Sequence, residues 1–371
     1  MKIAVFGTGG VGGYFGARLA AAGEEVHFIA RGKHLEAINE NGLSIESPLG
    51  DARIEKARAT DDAAEIGHAD MVMVAVKLYD TDEAVRACAS LIGPDSTVAS
   101  FQNGVTGGDA LVDAFGPQRV IGGTAAIAAM ISAPGVITHT GAIATIAFGE
   151  WDGIASPRTE ALLGAFENAG VEATLSSDIT AALWSKFVFL SSFSGITCAL
   201  RLPIGSIRED SDHWSLFRRA MEETFAVAVA RGVALADDLV DQRLAFTEGF
   251  APETYASMYH DLVAGKRIEL PWLSGAVVDM GRELGVETPV HEGFCRTLKP
   301  FVDGGPGGGG GGQGGGLRRR SKKTPPRPIP PHTPTRRSPA GRTSSATGHR
   351  PAAPFRRRRD ARTGIRRHAP R

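Results

Sequence analysis

Lys2-Ile3-Ala4-Val5-Phe6-Gly7-Thr8-Gly9-Gly10-Val11-Gly12 follows Met1, and its reading decides the fold. The apolar run to Phe6 predicts a buried strand, the glycines a tight turn, and the stretch to Ala22-Gly23 a helix. Val26-His27-Phe28-Ile29-Ala30 predicts a second strand that ends at Arg31. A Gly-x-Gly-x-x-Gly pattern is weak by itself in a chain with 47 glycines. Set between a strand and a helix, inside a βαβ unit of about thirty residues, it points to dinucleotide binding. Gly7 permits the turn, Gly9 lets the backbone approach a pyrophosphate, and Gly12 lets the helix pack closely on the strand. Thr8, Gly10 and Val11 complete a loop that leads into a helix N-terminus, whose free N–H groups and positive dipole end suit phosphates.

Arg31 points to the form of the nucleotide. An acidic residue about 20 positions after the glycines bonds the ribose 2′-OH of NAD, whereas an arginine accommodates the 2′-phosphate of NADP. Arg31 closes the second strand, with Lys33 and His34 behind it. A guanidinium grips a phosphate with two hydrogen bonds, so NADP(H) is the expected cofactor.

The formal net charge of zero over 371 residues conceals an uneven distribution. Residues 1–302 hold 23 Lys/Arg against 39 Asp/Glu, and residues 303–371 hold 18 against 2. The acidic body argues against nucleic acid as its partner. Cys88, Cys198 and Cys295 are far apart and form no Cys-x-x-Cys, so neither a disulfide framework nor a metal site is expected. No run approaches 18 uninterrupted apolar residues, and no signal-peptide pattern opens the chain. These features predict a cytoplasmic protein without a membrane span.

Organisation follows from periodicity. Leu43-Ser44-Ile45 and Ala52-Arg53-Ile54 read as short strands around Gly50. Met71–Val76 is a continuous apolar run, as a strand buried on both faces requires. Val98–Phe101 and Val120–Gly123 predict further strands with a helix over Asp109–Ala114 between them, and Val136–His139 with Ala144–Phe148 reads as a late hairpin. Alternating strands and helices imply an α/β, doubly wound, mainly parallel Rossmann domain over 1–176. Helical periodicity then takes over in Ile179–Phe193, Ser215–Arg231, Asp237–Glu248, Thr254–Ala264 and Trp272–Leu284, which predicts an all-helical domain over 177–302. The site is expected in the cleft between them. Residues 303–371, rich in Gly, Pro and Arg, lack the apolar content for a core and are expected to be a disordered tail. The tail reads as a solvated appendage or an out-of-frame segment more readily than as a nucleic-acid arm.

Several residues can carry chemistry. Lys77 follows the Met71–Val76 strand, and Gln102-Asn103-Gly104 follows the next; strand carboxyl ends face the ligand crevice in such sheets. Lys186, in Leu183-Trp184-Ser185-Lys186-Phe187, sits in an apolar helical setting. Desolvation lowers an ammonium's proton affinity, which suits a general acid near neutral pH. Ser257-Met258-Tyr259-His260-Asp261 through Glu269 to Gly275 supplies hydroxyls and carboxylates.

Together these segments, with Gly281-Arg282-Glu283-Leu284-Gly285-Val286-Glu287-Thr288-Pro289-Val290, resemble the 2-dehydropantoate 2-reductase (ketopantoate reductase) family over about residues 1–302. The resemblance implies an N-terminal Rossmann domain, a C-terminal helical domain and an active site between them, with room for a homodimer through the helical part. It implies reduction of a small-molecule 2-oxo acid by NADPH, with ketopantoate reduced to pantoate for pantothenate biosynthesis. Lys186 would protonate the ketone oxygen, and Asn103 would touch both nicotinamide and substrate. Lys77 and the backbone at Ala128 would help hold the cofactor, Glu269 would order its nicotinamide ribose, and Ser257 would bind the substrate carboxylate.

The chain also departs from the family pattern. Asparagines expected four and eight residues after the lysine are replaced by Leu190 and Ser194, and a third falls near Ile204. A pocket lined by Asn103, Lys186, Leu190, Ser194 and Ser257 is drier than one built for a hydroxylated substrate, unless Ser191, Ser192 or Thr197 fill the vacated places. A reductase of another 2-oxo acid and a non-catalytic NADPH-binding sensor are the alternatives. Retention of both Lys186 and Glu269 argues against the sensor.

Overall fold

The computed structural model describes residues 1–305. Residues 306–371 lie outside them, and with them nearly all of the expected disordered tail. The first half runs β1 (Lys2–Phe6), α1 (Gly10–Ala21), β2 (Glu25–Ile29), α2 (Gly32–Asn41), β3 (Leu43–Glu46), β4 (Ala52–Ile54), β5 (Arg58–Thr60) and β6 (Met71–Val74). It continues with α3 (Thr81–Cys88), β7 (Thr97–Ser100), α4 (Gly107–Phe115), β8 (Val120–Ala133), β9 (Val136–Gly149), α5 (Pro157–Asn168) and β10 (Glu172–Leu175). Helices alone follow: α6 (Ile179–Leu200), α7 (Ile204–Glu209), α8 (Ser211–Ala230), α9 (Leu239–Glu248), α10 (Ser257–Val263), α11 (Ser274–Leu284) and α12 (Pro289–Leu298), with short 3₁₀ turns between some of them.

The strands form a mixed sheet in the order β4-β3-β9-β8-β7-β6-β1-β2-β5, with β10 beside β9. Its heart, β5-β2-β1-β6-β7-β8, is parallel throughout. The strand order reverses between β1 and β6, and in such sheets a ligand binds at the carboxyl ends flanking that reversal. Ile3, Val5, Met71, Met73, Ala99 and Ile121 face α1 and α5 and pack with Phe15, Phe28 and Phe166. Ala4, Phe6, Val72, Val74, Val98 and Val120 point to the opposite face and pack with Ala84, Cys88 and Leu111 of α3 and α4. Burial on both faces is why these strands read as unbroken apolar runs.

The expected late hairpin is drawn differently. Val136–His139 and Ala144–Phe148 are two halves of one strand, β9, whose antiparallel partner is the long β8. The true turn is Pro134-Gly135, with Gly135 at φ +77°. The Thr140-Gly141 signal marks an irregularity instead: Ala129 pairs with His139 and Ile127 with Ala144, so Ala128 alone faces Thr140–Ile143. His139 closes that excursion, its ring nitrogens 3.0 Å from the Ile143 carbonyl and 2.9 Å from Ser47 Oγ. Gly141, at φ +85°, makes the excursion possible without ending the strand.

Helix limits also move. α6 continues seven residues past the expected Phe193, to Leu200, and α8 begins at Ser211 because the Asp210 side chain caps Asp212 and His213. The expected Thr254 and Trp272 starts become Ser257 and Ser274, and Met71–Val76 ends as a strand at Val74. α2, α3, α5, α7 and α12, with β5 and β10, had no counterpart in the sequence reading.

α6 is the one helix among the described residues long and apolar enough to cross a membrane. Its composition has another cause. Trp184, Phe187 and Cys198 pack on α10, α11 and the Ile268–Leu273 segment, while Val188, Phe193 and Ile196 pack on α7, α8 and α9. A helix enclosed on both sides is apolar all round.

Candidate active site

The glycine loop shows the geometry its pattern implies. Gly7 has φ +103°, and a Cβ there would sit 2.8 Å from Val76 N. A Cβ on Gly12 would run into the Gly7 carbonyl and Val5, so the helix approaches the strand only as glycine. A Cβ on Gly9 would meet nothing within 4 Å. The loop is therefore open where a pyrophosphate needs room, and tight where helix and strand pack. Gly9 caps α1 with no side-chain bond, and the first turn carries no acidic residue, which leaves N–H groups and a dipole end for an anion. Thr8 anchors the loop to β2, its N–H and Oγ1 donating to Ile29 O at 3.1 and 3.0 Å. Gly10 lies against the Ala129 carbonyl of β8, so β8 walls the loop next to exposed Ala128, which lies outside the strand register and accepts Thr140 Oγ1 at its carbonyl. These residues fit a dinucleotide.

Arg31 caps α2 with no side-chain cap bond, half-exposed, 2.8 Å from Glu83. Burial holds the Asp80 carboxyl above its usual range against the opposing pull of Arg267 and Arg31. His34 is a turn anchor, accepting a bond from Gly135 N at 3.0 Å.

Lys77 stands after β6 at the order reversal. Its ammonium lies 2.7 Å from Asp261 of α10 and 3.4 Å from Glu269. The pull of the two carboxylates outweighs the cost of burial and raises its pKa. Glu269 is 3% exposed, and its other oxygen accepts Leu78 N at 2.9 Å. Arg267 lies over the Tyr79 ring at 4.3 Å from its centroid. The loop from Lys77 to Tyr79 is thus clasped to the segment 261–269. Buried Gln102 braces the same loop, donating from Nε2 to Val76 O at 3.0 Å and Thr81 Oγ1 at 2.8 Å.

Lys186 reaches from α6 across to the sheet. Its Nζ donates to Ala125 O at 2.6 Å and to Asn103 Oδ1 at 3.1 Å. No carboxylate pairs with it among the described residues. Burial lowers its pKa to about 8, and the charge of Glu269 offsets only part of that. The structure thus brings together Lys186 with Asn103, and Lys77 with Glu269, with Glu269 near enough to act on both lysines.

The remaining expected residues divide. Leu190 and Ser194 follow Lys186 at one-turn intervals along α6. Leu190 is half-buried against the core that holds Trp184 and Met258, and Ser194 Oγ is buried without a partner among the described residues. Ser257 starts α10, exposed, while the adjacent Met258 packs with Trp184 and Phe187. Ser191, Ser192 and Thr197 do not take the places of the missing asparagines. Each donates to the carbonyl four residues earlier, and Ser191 also pairs with Thr224. Ile204 is fully buried beside Phe193 and Phe217. Asp261 as partner of Lys77 and Gln102 as a loop brace escaped the sequence reading, because each acts through residues far away in the chain.

Comparisons with known proteins bear on the family and the fold. The family described as "Ketopantoate reductase PanE/ApbA" matches residues 3–153, and its C-terminal counterpart matches residues 178–301. A 2-dehydropantoate 2-reductase of Mesorhizobium japonicum is 33% identical over 310 residues, covering 78% of this chain and 94% of that protein. The crystal structure of 2-dehydropantoate 2-reductase from Geobacter metallireducens is 32% identical with a TM-score of 0.76, covering 81% of this chain and 99% of that one. D-mandelate dehydrogenase in complex with NADH and anilino(oxo)acetate shares the fold, at 23% identity and a TM-score of 0.72, over 81% of this chain and 97% of that one. With its glycine loop at the order reversal and a desolvated lysine held on Asn103 and Ala125 O, the chain belongs to the ketopantoate reductase family and is an oxidoreductase of that family.

Proposed function

We propose that this protein reduces the 2-oxo group of a small 2-oxo acid with NADPH, and that its reaction is ketopantoate to pantoate in the cytoplasm. The observation that carries the reading is Lys186: an ammonium with a pKa near 8, held on Ala125 O and Asn103 at the carboxyl end of the sheet. Residues 1–176 would bind the nucleotide, through Gly7–Gly12, Arg31, Lys77, Asn103, Ala128 and Glu269. Residues 177–302 would supply the substrate side. When bound, the dinucleotide supplies the hydride.

The chain's own work is electrostatic and protonic. Reduction places charge on the carbonyl oxygen; a cation fixed nearby lowers that charge's energy and then gives up its proton. With two of its N–H bonds directed at Ala125 O and Asn103, Lys186 keeps a third donor for the substrate. The names of the Mesorhizobium and Geobacter relatives support ketopantoate. A specific observation favours another 2-oxo acid as second reading: Leu190 and buried Ile204 stand at the family's asparagine places, and the neighbouring α6 hydroxyls are consumed within the helix.

The test is NADPH oxidation by the purified protein with ketopantoate, beside 2-oxoisovalerate and an NADH control. Lys186→Ala is expected to lower turnover by about 10²-fold or more while NADPH still binds. Turnover that survives the substitution removes Lys186 from its role. Preference for 2-oxoisovalerate over ketopantoate selects the second reading.

A further inference from the structure

Arg243 of α9 is a cation without a counter-charge. Several other arginines pair with a carboxylate, Arg158 with Glu150, Arg31 with Glu83, Arg218 with Asp241 and Arg282 with Glu292, while Arg18, Arg53 and Arg119 reach backbone carbonyls. Arg208 is held by the carbonyls of Thr247, Glu248 and Phe250. Arg243 is half-buried, makes no ion pair among the described residues, and finds one neutral partner, Ser185 Oγ at 2.5 Å. Its Nε is sealed from water with no acceptor. Burial lowers the affinity of the group for its proton, and no carboxylate acts to restore it.

A guanidinium withdrawn from water without an anion is costly, and such a group is compensated when an anion arrives. Its place is specific. Ser185 immediately precedes Lys186 on α6, and α9 brings Arg243 onto that turn. Two cations without an ion pair among the described residues therefore meet neighbouring positions of one helix, one suited to a reacting oxygen and the other to a carboxylate. This also supplies polarity that Leu190 and Ile204 remove. We propose that Arg243 binds a carboxylate of the substrate and helps set specificity for acidic 2-oxo compounds, an inference that rests on the reductase reading above. Ser185 holds the guanidinium in place until the carboxylate arrives. Consecutive helix positions diverge by about 100°, so the carboxylate is either the one on the reacting carbon's neighbour or a second one farther along the chain.

The experiment compares the wild type with Arg243→Gln and Arg243→Lys in the full chain. Substrates are 2-oxoisovalerate, its neutral methyl ester and 2-oxoglutarate. Arg243→Gln is expected to raise the KM of the acids about tenfold or more while kcat/KM for the ester stays within about twofold, since charged hydrogen bonds carry most of such recognition. Arg243→Lys should recover part of the loss. A KM effect on both acids assigns Arg243 to the carboxylate beside the ketone; an effect on 2-oxoglutarate alone assigns it to a distal one. Equal losses for acids and ester, or no loss, overturn the proposal. If the wild type reduces neither ketopantoate nor any of the three, the reductase reading fails separately. Calorimetric binding of isovalerate and glutarate then decides: binding lost in Arg243→Gln keeps the carboxylate site, and unchanged or absent binding removes it.

Discussion

Lys186 is an ammonium placed where charge is unfavourable, and that placement sets its pH behaviour. Its pKa falls to about 8 because burial penalises the charged form more than Glu269 restores it. A general acid acts only while protonated. The rate of ketone reduction is therefore expected to be level between about pH 6.5 and 8 and to fall about tenfold per unit above pH 8. Alcohol oxidation, which needs the free amine, should instead rise about tenfold per unit up to pH 8 and level off above it. A reduction profile that stays flat to pH 10 would show that another group supplies the proton. Arg31 makes a second residue-scale case. Its bond to Glu83 joins two half-exposed side chains, and such pairs contribute little, so a 2′-phosphate can displace the carboxylate. Arg31→Ala should weaken NADPH binding about tenfold or more and NADH binding far less, whereas Glu83→Gln should tighten NADPH. Equal losses for both nucleotides would contradict the assignment. Both residues were legible in the sequence because each depends on its neighbours in the chain: apolar positions around Lys186, a strand end before Arg31. Glu83 was not, since 52 residues separate it from Arg31.

At the scale of elements, α1 and the long β8 share the work of shaping the loop. Gly9 and Gly10 are adjacent but differ in what a methyl group would meet: open space at Gly9 and the Ala129 backbone at Gly10. Gly9→Ala should leave Tm nearly unchanged and impair dinucleotide binding. Gly10→Ala should cost roughly 1–3 kcal/mol of stability through overpacking. Thermal unfolding and nucleotide titration of both variants test this, and a reversed pattern would show that the loop does not face the pyrophosphate. The glycine spacing was readable because the turn, the close approach and the packing each act within a dozen residues. The β8 wall was not, because Thr140-Gly141 carries the local marks of a turn. Ten or more cross-strand pairs with β8 keep β9 continuous through it. Pairing energy from a distant strand outweighed local turn chemistry.

Across the molecule, α6 links Lys186 to the helical core. Ser191 bonds Thr224 of α8, and His291 of α12 places Nε2 2.9 Å from both Thr224 Oγ1 and Ala220 O. Glu223 completes the junction by accepting the N–H groups of Val290 and His291. His291 is fully buried, its Nδ1 has no partner, and burial lowers its pKa to about 4. The unfolded chain takes up that proton near pH 6.5. The stability from a neutral His291 is therefore complete above pH 6.5 and lost as pH falls toward 4, by roughly 3 kcal/mol in all. Tm against pH should show this loss in the wild type and a shallower slope in His291→Gln; parallel slopes would remove His291 as its source. The junction reaches the turn after Lys186, so its loss on acidification should also reduce turnover.

The sequence by itself determined the glycine loop, the alternation that makes a parallel sheet, the change to helices near Asp178, and the lysine in its apolar setting. These are short-range properties: turn geometry, side-chain period and local hydrophobicity act over one or two elements. Tertiary structure alone decided which carboxylates face Lys77, that Ala125 O and Asn103 receive Lys186, and that Arg243 is left without a counter-charge. Each depends on groups 60 or more residues apart, or on the absence of a neighbour in space. Neither distance nor absence leaves a mark in local sequence, because electrostatic compensation is settled only when the chain has closed around the charge.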